Sequence, residues 1–174
     1  MVVLGLGAIG SWVARYAQPY GMHIVGVRRT PAGVEDGVDE WAHPDALASV
    51  LPRAEVLVIT LPLTAQTDGL LDTPMLDLLP PGAVVVNVSR GQVVDEAALA
   101  ERLASGRIVG AYLDVFEEEP LPEDSALWGL PNAILSPHEA GRSAGSQPRI
   151  DAIFREEVER WLRGEESPRL VQER

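Results

Sequence analysis

Gly5-Leu6-Gly7-Ala8-Ile9-Gly10 decides how the rest of this chain is read. A G-x-G-x-x-G run that follows an apolar strand and opens a helix is the dinucleotide-binding fingerprint. The first glycine makes the tight turn, the second lets backbone approach a pyrophosphate, and the third packs helix on strand. Val2-Val3-Leu4 supplies the strand, and Ile9 to Tyr20 reads as a helix ending at Gly21. The place of the run, four residues into the sequence, carries the expectation that nothing folded precedes it.

Outward from that loop, short apolar runs alternate with amphipathic stretches. Strands are expected at His23 to Val27, Glu55 to Thr60, Ala83 to Val88, Ile108 to Val115 and Ala133 to Leu135. Residues Pro31 to Glu40 read as loop. Short helices are expected over Pro44 to Leu51 and from Asp72-Thr73-Pro74 to before Pro80. Asp95 reads as the N-cap of a helix running to Ser105, with Gly106 just past its end. A longer helix is expected from about Ser143 to Gly164, then a polar tail over residues 165–174. The near-continuous valines of Ala83 to Val88 suit a strand covered on both faces. Such alternation predicts an α/β fold: one three-layer Rossmann domain over residues 1–164, with a doubly wound parallel sheet of six strands in order 3-2-1-4-5-6.

Composition narrows the classes of function. The 174 residues are 46% hydrophobic and 23% charged, as in a globular domain with a substantial core. A formal net charge of −12 with no basic stripe argues against nucleic acid. All 14 cationic side chains are arginine. With no cysteine, disulfides, thiolate metal sites and cysteine nucleophiles are excluded, and a cytoplasmic location is expected. No apolar run reaches membrane-spanning length, and Met1-Val2-Val3 lacks a signal peptide's basic start. No metal-ligand spacing is visible, so no metal is expected.

In an open parallel sheet, ligands bind beyond the carboxyl ends of the strands. Val88-Ser89-Arg90-Gly91 follows the fourth expected strand, Asp114 closes the fifth with Glu117-Glu118-Glu119-Pro120 after it, and Ser136-Pro137-His138 follows the sixth. An arginine, two acids and a histidine thus converge on the edge the glycine loop occupies. Arginine grips a carboxylate with two parallel hydrogen bonds, and a glutamate holds a histidine in one tautomer. Together they suit binding of a 2-oxo acid and delivery of a proton with hydride addition. Taken singly, each has a plainer reading: a solvated arginine, an acidic loop, a turn histidine. His23 and His43 have no partner motif and read as structural, and Trp12, Trp41, Trp128 and Trp161 read as packing residues.

In an ordered series of motifs the chain resembles the D-isomer-specific 2-hydroxyacid dehydrogenases, notably their glyoxylate/hydroxypyruvate reductase-like members. The series runs from Gly5–Gly10 through Leu61-Pro62-Leu63-Thr64 with Thr67, Asn87-Val88-Ser89-Arg90-Gly91 with Val94-Asp95, and Leu113-Asp114-Val115-Phe116. It continues with Glu119-Pro120-Leu121, Leu127-Trp128 and Ser136-Pro137-His138-Glu139-Ala140-Gly141. The resemblance implies that Arg90 binds the substrate carboxylate and carbonyl, that His138 is the general acid/base, and that Glu119 is its partner. It implies a cofactor site of Gly5, Gly7, Ala8, Ile9, Gly10, Leu61, Pro62, Thr67, Val88, Ser89, Arg90, Asp114, His138 and Gly141. Ala8 and Ile9 would offer backbone to the pyrophosphate, Thr67 would lie near the phosphates, and Asp114 would hold the nicotinamide carboxamide. Full-length members carry a substrate domain on the order of a hundred residues, built mostly from sequence before the glycine loop. This sequence is therefore expected to be the cofactor half, with feeble turnover alone; a non-catalytic NAD(P)-binding module and a split-enzyme subunit are the alternatives. A homodimer through the cofactor domain is expected, as in the family.

The end of the second expected strand bears on the cofactor. NAD-selective domains place an acid there, roughly 20 residues past the loop, to bind the ribose hydroxyls. This chain reads Val27-Arg28-Arg29-Thr30 instead. Two guanidinium groups and a hydroxyl predict a preference for NADP(H) over NAD(H), with Glu35 as the distal acid that would serve NAD otherwise.

Overall fold

The computed structural model describes residues 1–31 and 36–167. By contacts the chain divides into two compact units, Met1–His138 and Glu139–Arg174.

In the first unit, β1 (Val2–Leu4) leads through the glycine loop into α1 (Ala8–Ala17), which ends in a 3-10 turn at Gln18–Tyr20. Then follow β2 (Val25–Val27), β3 (Glu40–Ala42), α2 (Leu47–Val50), β4 (Val56–Ile59), α3 (Thr73–Asp77) and β5 (Ala83–Asn87). The last elements of the unit are α4 (Glu96–Ala104), β6 (Ile108–Leu113) and β7 (Ala133–Leu135). Local chemistry sets several boundaries: Asp72 caps α3 by accepting from Met75 N–H at 3.0 Å, and Asp95 caps α4 by accepting from Ala98 N–H at 2.9 Å.

All seven strands are parallel, in the order β3-β2-β1-β4-β5-β6-β7. The doubly wound α/β architecture is as the sequence implies, but the strand count and one placement differ. Glu40–Ala42, within and just beyond the stretch read as loop, is the edge strand next to β2, in register Val25↔Glu40. The run read as the third strand, here β4, pairs with β1 in register Val2↔Leu57 rather than flanking β2. A three-residue strand of sequence Glu-Trp-Ala has no buried residue and no period-2 signal, so periodicity could not reveal it.

Side-chain alternation builds the layers. Val2 and Leu4 of β1 join the larger core cluster with Leu47 of α2, Leu76 of α3, and Leu99 and Leu103 of α4. Val3 faces the other way, into a smaller cluster with Leu6, Ala14, Ile24 and Val38 beneath α1. The expectation that β5 is covered on both faces is corrected: Ala83, Val85 and Asn87 are buried, whereas Val84 and Val86 are half-buried. The tryptophans are also corrected. None lies in the core; Trp12, Trp41, Trp128 and Trp161 are 54%, 38%, 58% and 76% exposed.

The second unit contains α5 (Ser146–Leu162), which starts three residues later than expected and buries no residue. Among the described residues no helix is long and apolar enough to cross a membrane, and no cluster of ligating side chains could hold a metal ion.

Candidate active site

The glycine loop is shaped by three different constraints. Gly5 has φ +91°, which a side chain resists, and its N–H donates to Val27 O at 2.9 Å. At Gly10 a Cβ would overlap the Gly5 carbonyl oxygen and lie 2.8 Å from Thr60 Oγ1, so helix and strand approach too closely for alanine. Thr60 Oγ1 also donates to the Gly5 and Leu4 carbonyls, closing the turn from β4. Gly7 differs: apart from its chain neighbours, no described residue would come within 4 Å of a side-chain carbon there. Among the described residues, nothing that packs against that position requires glycine. The N-terminus of α1 has no side-chain cap and no acid in its first turn, the arrangement that favours an anion at Ala8 and Ile9. These residues fit a dinucleotide pyrophosphate.

At the end of β5 a buried amide organises the loop. Asn87, 1% exposed, accepts from Ser89 N–H at 3.0 Å and Ser89 Oγ at 2.8 Å, and donates to Arg90 O at 3.0 Å. Every polar atom of its side chain is thereby engaged. The Arg90 guanidinium donates to Ser89 O at 2.6 Å and is exposed. The sequence motif contains Asn87 without marking a role for it; a polar residue closing a run of valines is the signal it carries.

Asp114, 2% exposed, sits at the end of β6 and receives a hydrogen bond from Ser136 Oγ, itself 2.8 Å from Tyr112 OH. The Asp114 carbonyl accepts from His138 N–H at 2.8 Å. His138 takes φ +53°, uncommon for a bulky side chain, and this backbone contact holds it there. Its Nδ1 lies 2.8 Å from Glu119 Oε2, while Glu119 Oε1 accepts from Phe116 N–H at 3.1 Å. Burial pushes the Glu119 carboxyl up. The His138 and Phe116 hydrogen bonds, helped by the charges of His138 and Arg90, outweigh it and leave Glu119 below the ordinary carboxylate range. An anionic Glu119 orients the ring with Nε2 directed away from the carboxylate.

The remaining expected cofactor residues are less uniform. Leu61 and Pro62 follow β4 beside the glycine loop. The Thr67 hydroxyl closes its own turn, donating to Pro62 O at 2.7 Å and accepting from Thr64 N–H at 2.8 Å. Val88 is half-buried and Ser89 buried. Gly141 falls in the second unit, where its carbonyl accepts from Ser146 Oγ at 3.0 Å.

At the end of β2, Arg28 is already engaged: it donates to Thr30 O at 2.8 Å, to Leu6 O at 3.4 Å and to Pro31 O, and pairs with Asp36 at 3.1 Å. Trp41 Nε1 donates to Arg28 O at 3.0 Å, so the edge strand braces the same turn. Arg29 and Thr30 are exposed. Glu35 lies outside the described residues. The two histidines read as structural have local acidic partners. His23 Nε2 is 2.8 Å from Glu40, and His43 Nδ1 is 3.1 Å from Asp45.

Residues 1–140 match the family of the D-isomer specific 2-hydroxyacid dehydrogenase, NAD binding domain. A glyoxylate reductase of Korarchaeum cryptofilum is 37% identical over 172 residues, spanning 97% of this chain and 51% of that protein. Glyoxylate/hydroxypyruvate reductase A of Salmonella typhimurium is 40% identical over 153 residues, 88% of this chain and 48% of that protein. The chain thus spans about half the length of these curated relatives. Among solved structures, a D-isomer specific 2-hydroxyacid dehydrogenase from Xanthobacter autotrophicus Py2, in complex with NADPH and MES, superposes with a TM-score of 0.88. It is 41% identical, over 99% of this chain and 70% of that one. An NADPH-dependent glyoxylate/hydroxypyruvate reductase from Sinorhizobium meliloti, in complex with NADP and sulfate, gives 0.89 at 32% identity, over 98% and 54%.

Proposed function

The chain belongs to the D-isomer specific 2-hydroxyacid dehydrogenase family through its NAD binding domain, and on that premise we propose that it serves NADP(H)-preferring reduction of a small 2-oxo acid such as glyoxylate or hydroxypyruvate. The observation that carries this reading is the 2.8 Å pairing of Glu119 with His138, at the strand ends the glycine loop shares. When bound, a reduced nicotinamide supplies hydride to the substrate carbonyl. The chain's own residues do the rest. Arg90 grips the substrate carboxylate and polarises the carbonyl, and His138 gives its Nε2 proton to the carbonyl oxygen. Glu119 balances the charge on the ring before that transfer. Asp114, held by Ser136, accepts from the carboxamide, and the uncapped start of α1 takes the pyrophosphate.

The preference for NADP(H) draws on Arg29 and Thr30, exposed at the end of β2, with Arg28 shaping the turn beneath them. Relatives crystallised with NADPH or NADP are consistent with it. The reaction is placed in the cytoplasm, and a second copy of the chain is the proposed partner. Exposed Trp12, Tyr16 and Tyr20 on and beyond α1 favour association. Sedimentation showing a monomer at all concentrations would count against that partner.

The purified chain mixed with NADPH and glyoxylate tests the reading. Expected from these 174 residues is a trace rate, orders of magnitude below the typical ~10 per second, because they span about half the length of the relatives and leave the orienting, water-excluding remainder out of the assay. His138→Asn and Arg90→Ala should each remove it, since acid/base assistance alone is worth about 10²–10⁴-fold. A wild-type rate in either variant contradicts the role assigned to that residue. Turnover at full family speed contradicts that expectation.

A further inference from the structure

The turn that carries Glu119 is tied to the loop that carries Arg90 by contacts outside the proposed chemistry. Glu96 N–H donates to Glu117 Oε1 at 2.9 Å, and Glu117 N–H donates to Glu96 Oε2 at 3.2 Å. Gln92 Nε2 donates to Glu117 O at 2.8 Å. Gly91 packs so closely that a Cβ there would overlap the Phe116 carbonyl and the Glu117 nitrogen. From Phe116 the next link is direct: its N–H holds Glu119 Oε1, leaving Oε2 for His138.

Helix capping does not account for Glu96. Asp95 already caps α4, so the Glu96 carboxylate is not needed there, and it reaches instead to a backbone amide 21 residues away. The N–H of Glu96, an orphan donor of the first helical turn, is in turn satisfied by Glu117. The arrangement also works against electrostatics. Burial pushes the half-buried Glu96 carboxyl up; the hydrogen bond from Glu117 N–H opposes this, and the neighbouring Glu117 charge adds to it. Two carboxylates held together in this way need a compensating gain. Fixing the turn supplies one.

We infer that Glu96 is a positioning residue: with Glu117 it forms a reciprocal carboxylate–amide clasp that holds the Phe116–Glu119 turn and thereby sets Glu119 against His138. The inference rests on the acid/base reading of that pair, and its test separates the two. In the whole chain labelled with ¹⁵N-histidine, ring nitrogen shifts report the tautomer of the neutral His138 imidazole. The wild type is expected to show the Nδ1–H form that donates to Glu119. Glu96→Ala should shift the tautomer ratio by about fivefold toward Nε2–H, the scale set by one hydrogen bond. Glu96→Gln, whose amide oxygen accepts the same Glu117 N–H, should restore the wild-type ratio. Glu119→Ala gives the ratio with no partner.

A wild-type ratio in Glu96→Ala overturns the clasp, as does a Gln variant that restores nothing while amide spectra show both proteins folded. If Glu119→Ala loses the Nδ1–H form and Glu96→Ala keeps it, the clasp fails and the acid/base pair stands. If the wild type itself lacks that form, the pair fails and the clasp falls with it.

Discussion

Two strand ends of this sheet present arginine to the same edge, and the structure uses them differently. After β2, Arg28 turns back on its own loop, binding three carbonyls and Asp36. After β5, the backbone around Arg90 is fixed by Asn87, while the guanidinium donates to the adjacent Ser89 carbonyl and is exposed. Residue type and position at a strand end are alike. What separates the two arginines is whether a neighbour satisfies the turn in the guanidinium's place. Asn87 does so at β5. At the β2 turn Trp41 Nε1 holds the Arg28 carbonyl, and the Arg28 guanidinium itself binds the other carbonyls.

The comparison breaks most severely at Gly91. Its added methyl would collide with backbone at Phe116 and Glu117, which cannot swing aside as a side chain can. Gly91→Ala should cost about 3 kcal/mol in denaturant unfolding. Gly7→Ala, with open space around it, should change stability by less than ~0.5 kcal/mol yet weaken dinucleotide binding at least tenfold. A Gly7→Ala protein with undiminished cofactor affinity would remove the argument from its open surroundings.

Asn87→Ala should follow at about 2 kcal/mol, because it strands the Ser89 hydroxyl and amide in a buried place. If unfolding shows less than ~0.5 kcal/mol, the β5 turn does not depend on its amide, and the contrast with β2 fails.

Smaller effects sharpen the β2 side. Arg28→Ala is expected to destabilise by about 1 kcal/mol, since its pairing with Asp36 is only partly buried. Arg29→Ala should leave stability within ~0.5 kcal/mol while lowering NADPH affinity about tenfold and sparing NADH. Reversed outcomes, with Arg28 setting affinity and Arg29 stability, would exchange the two roles.

The weakest effect concerns acid. The Glu119 carboxyl titrates lower in the fold than in the unfolded chain, so its pairing stabilises the fold fully above the ordinary carboxylate range. That contribution fades as pH falls through the depressed folded value. The stability gap between wild type and Glu119→Gln should therefore be level near neutrality and close on acidification; a gap that widens toward acid contradicts the pairing.

Much of this was legible in the sequence. The glycine spacing, the apolar strand runs and the Asp72 and Asp95 caps are local signals, and each element they indicate is present. The convergence of Arg90, Glu119 and His138 follows from the rule that loops after parallel strands share one edge. Three things were not legible. The edge strand Glu40–Ala42 owes its conformation to pairing with β2, and its own residues carry no strand pattern. The commitment of Arg28 depends on Asp36, eight residues on, and on backbone carbonyls that no sequence pattern exposes. The tie between Glu96 and Glu117 spans 21 residues and exists only because β5 and β6 lie side by side.

The proposed cofactor site is a dinucleotide held at this sheet edge with its ribose read at the end of β2. Calorimetric titration of the purified chain with NADPH and NADH tests that directly. The expected result is one site per chain, NADPH bound at least several-fold tighter, and that margin lost in Arg29→Ala. Binding of neither nucleotide, or NADH bound as tightly as NADPH or more so, would contradict it.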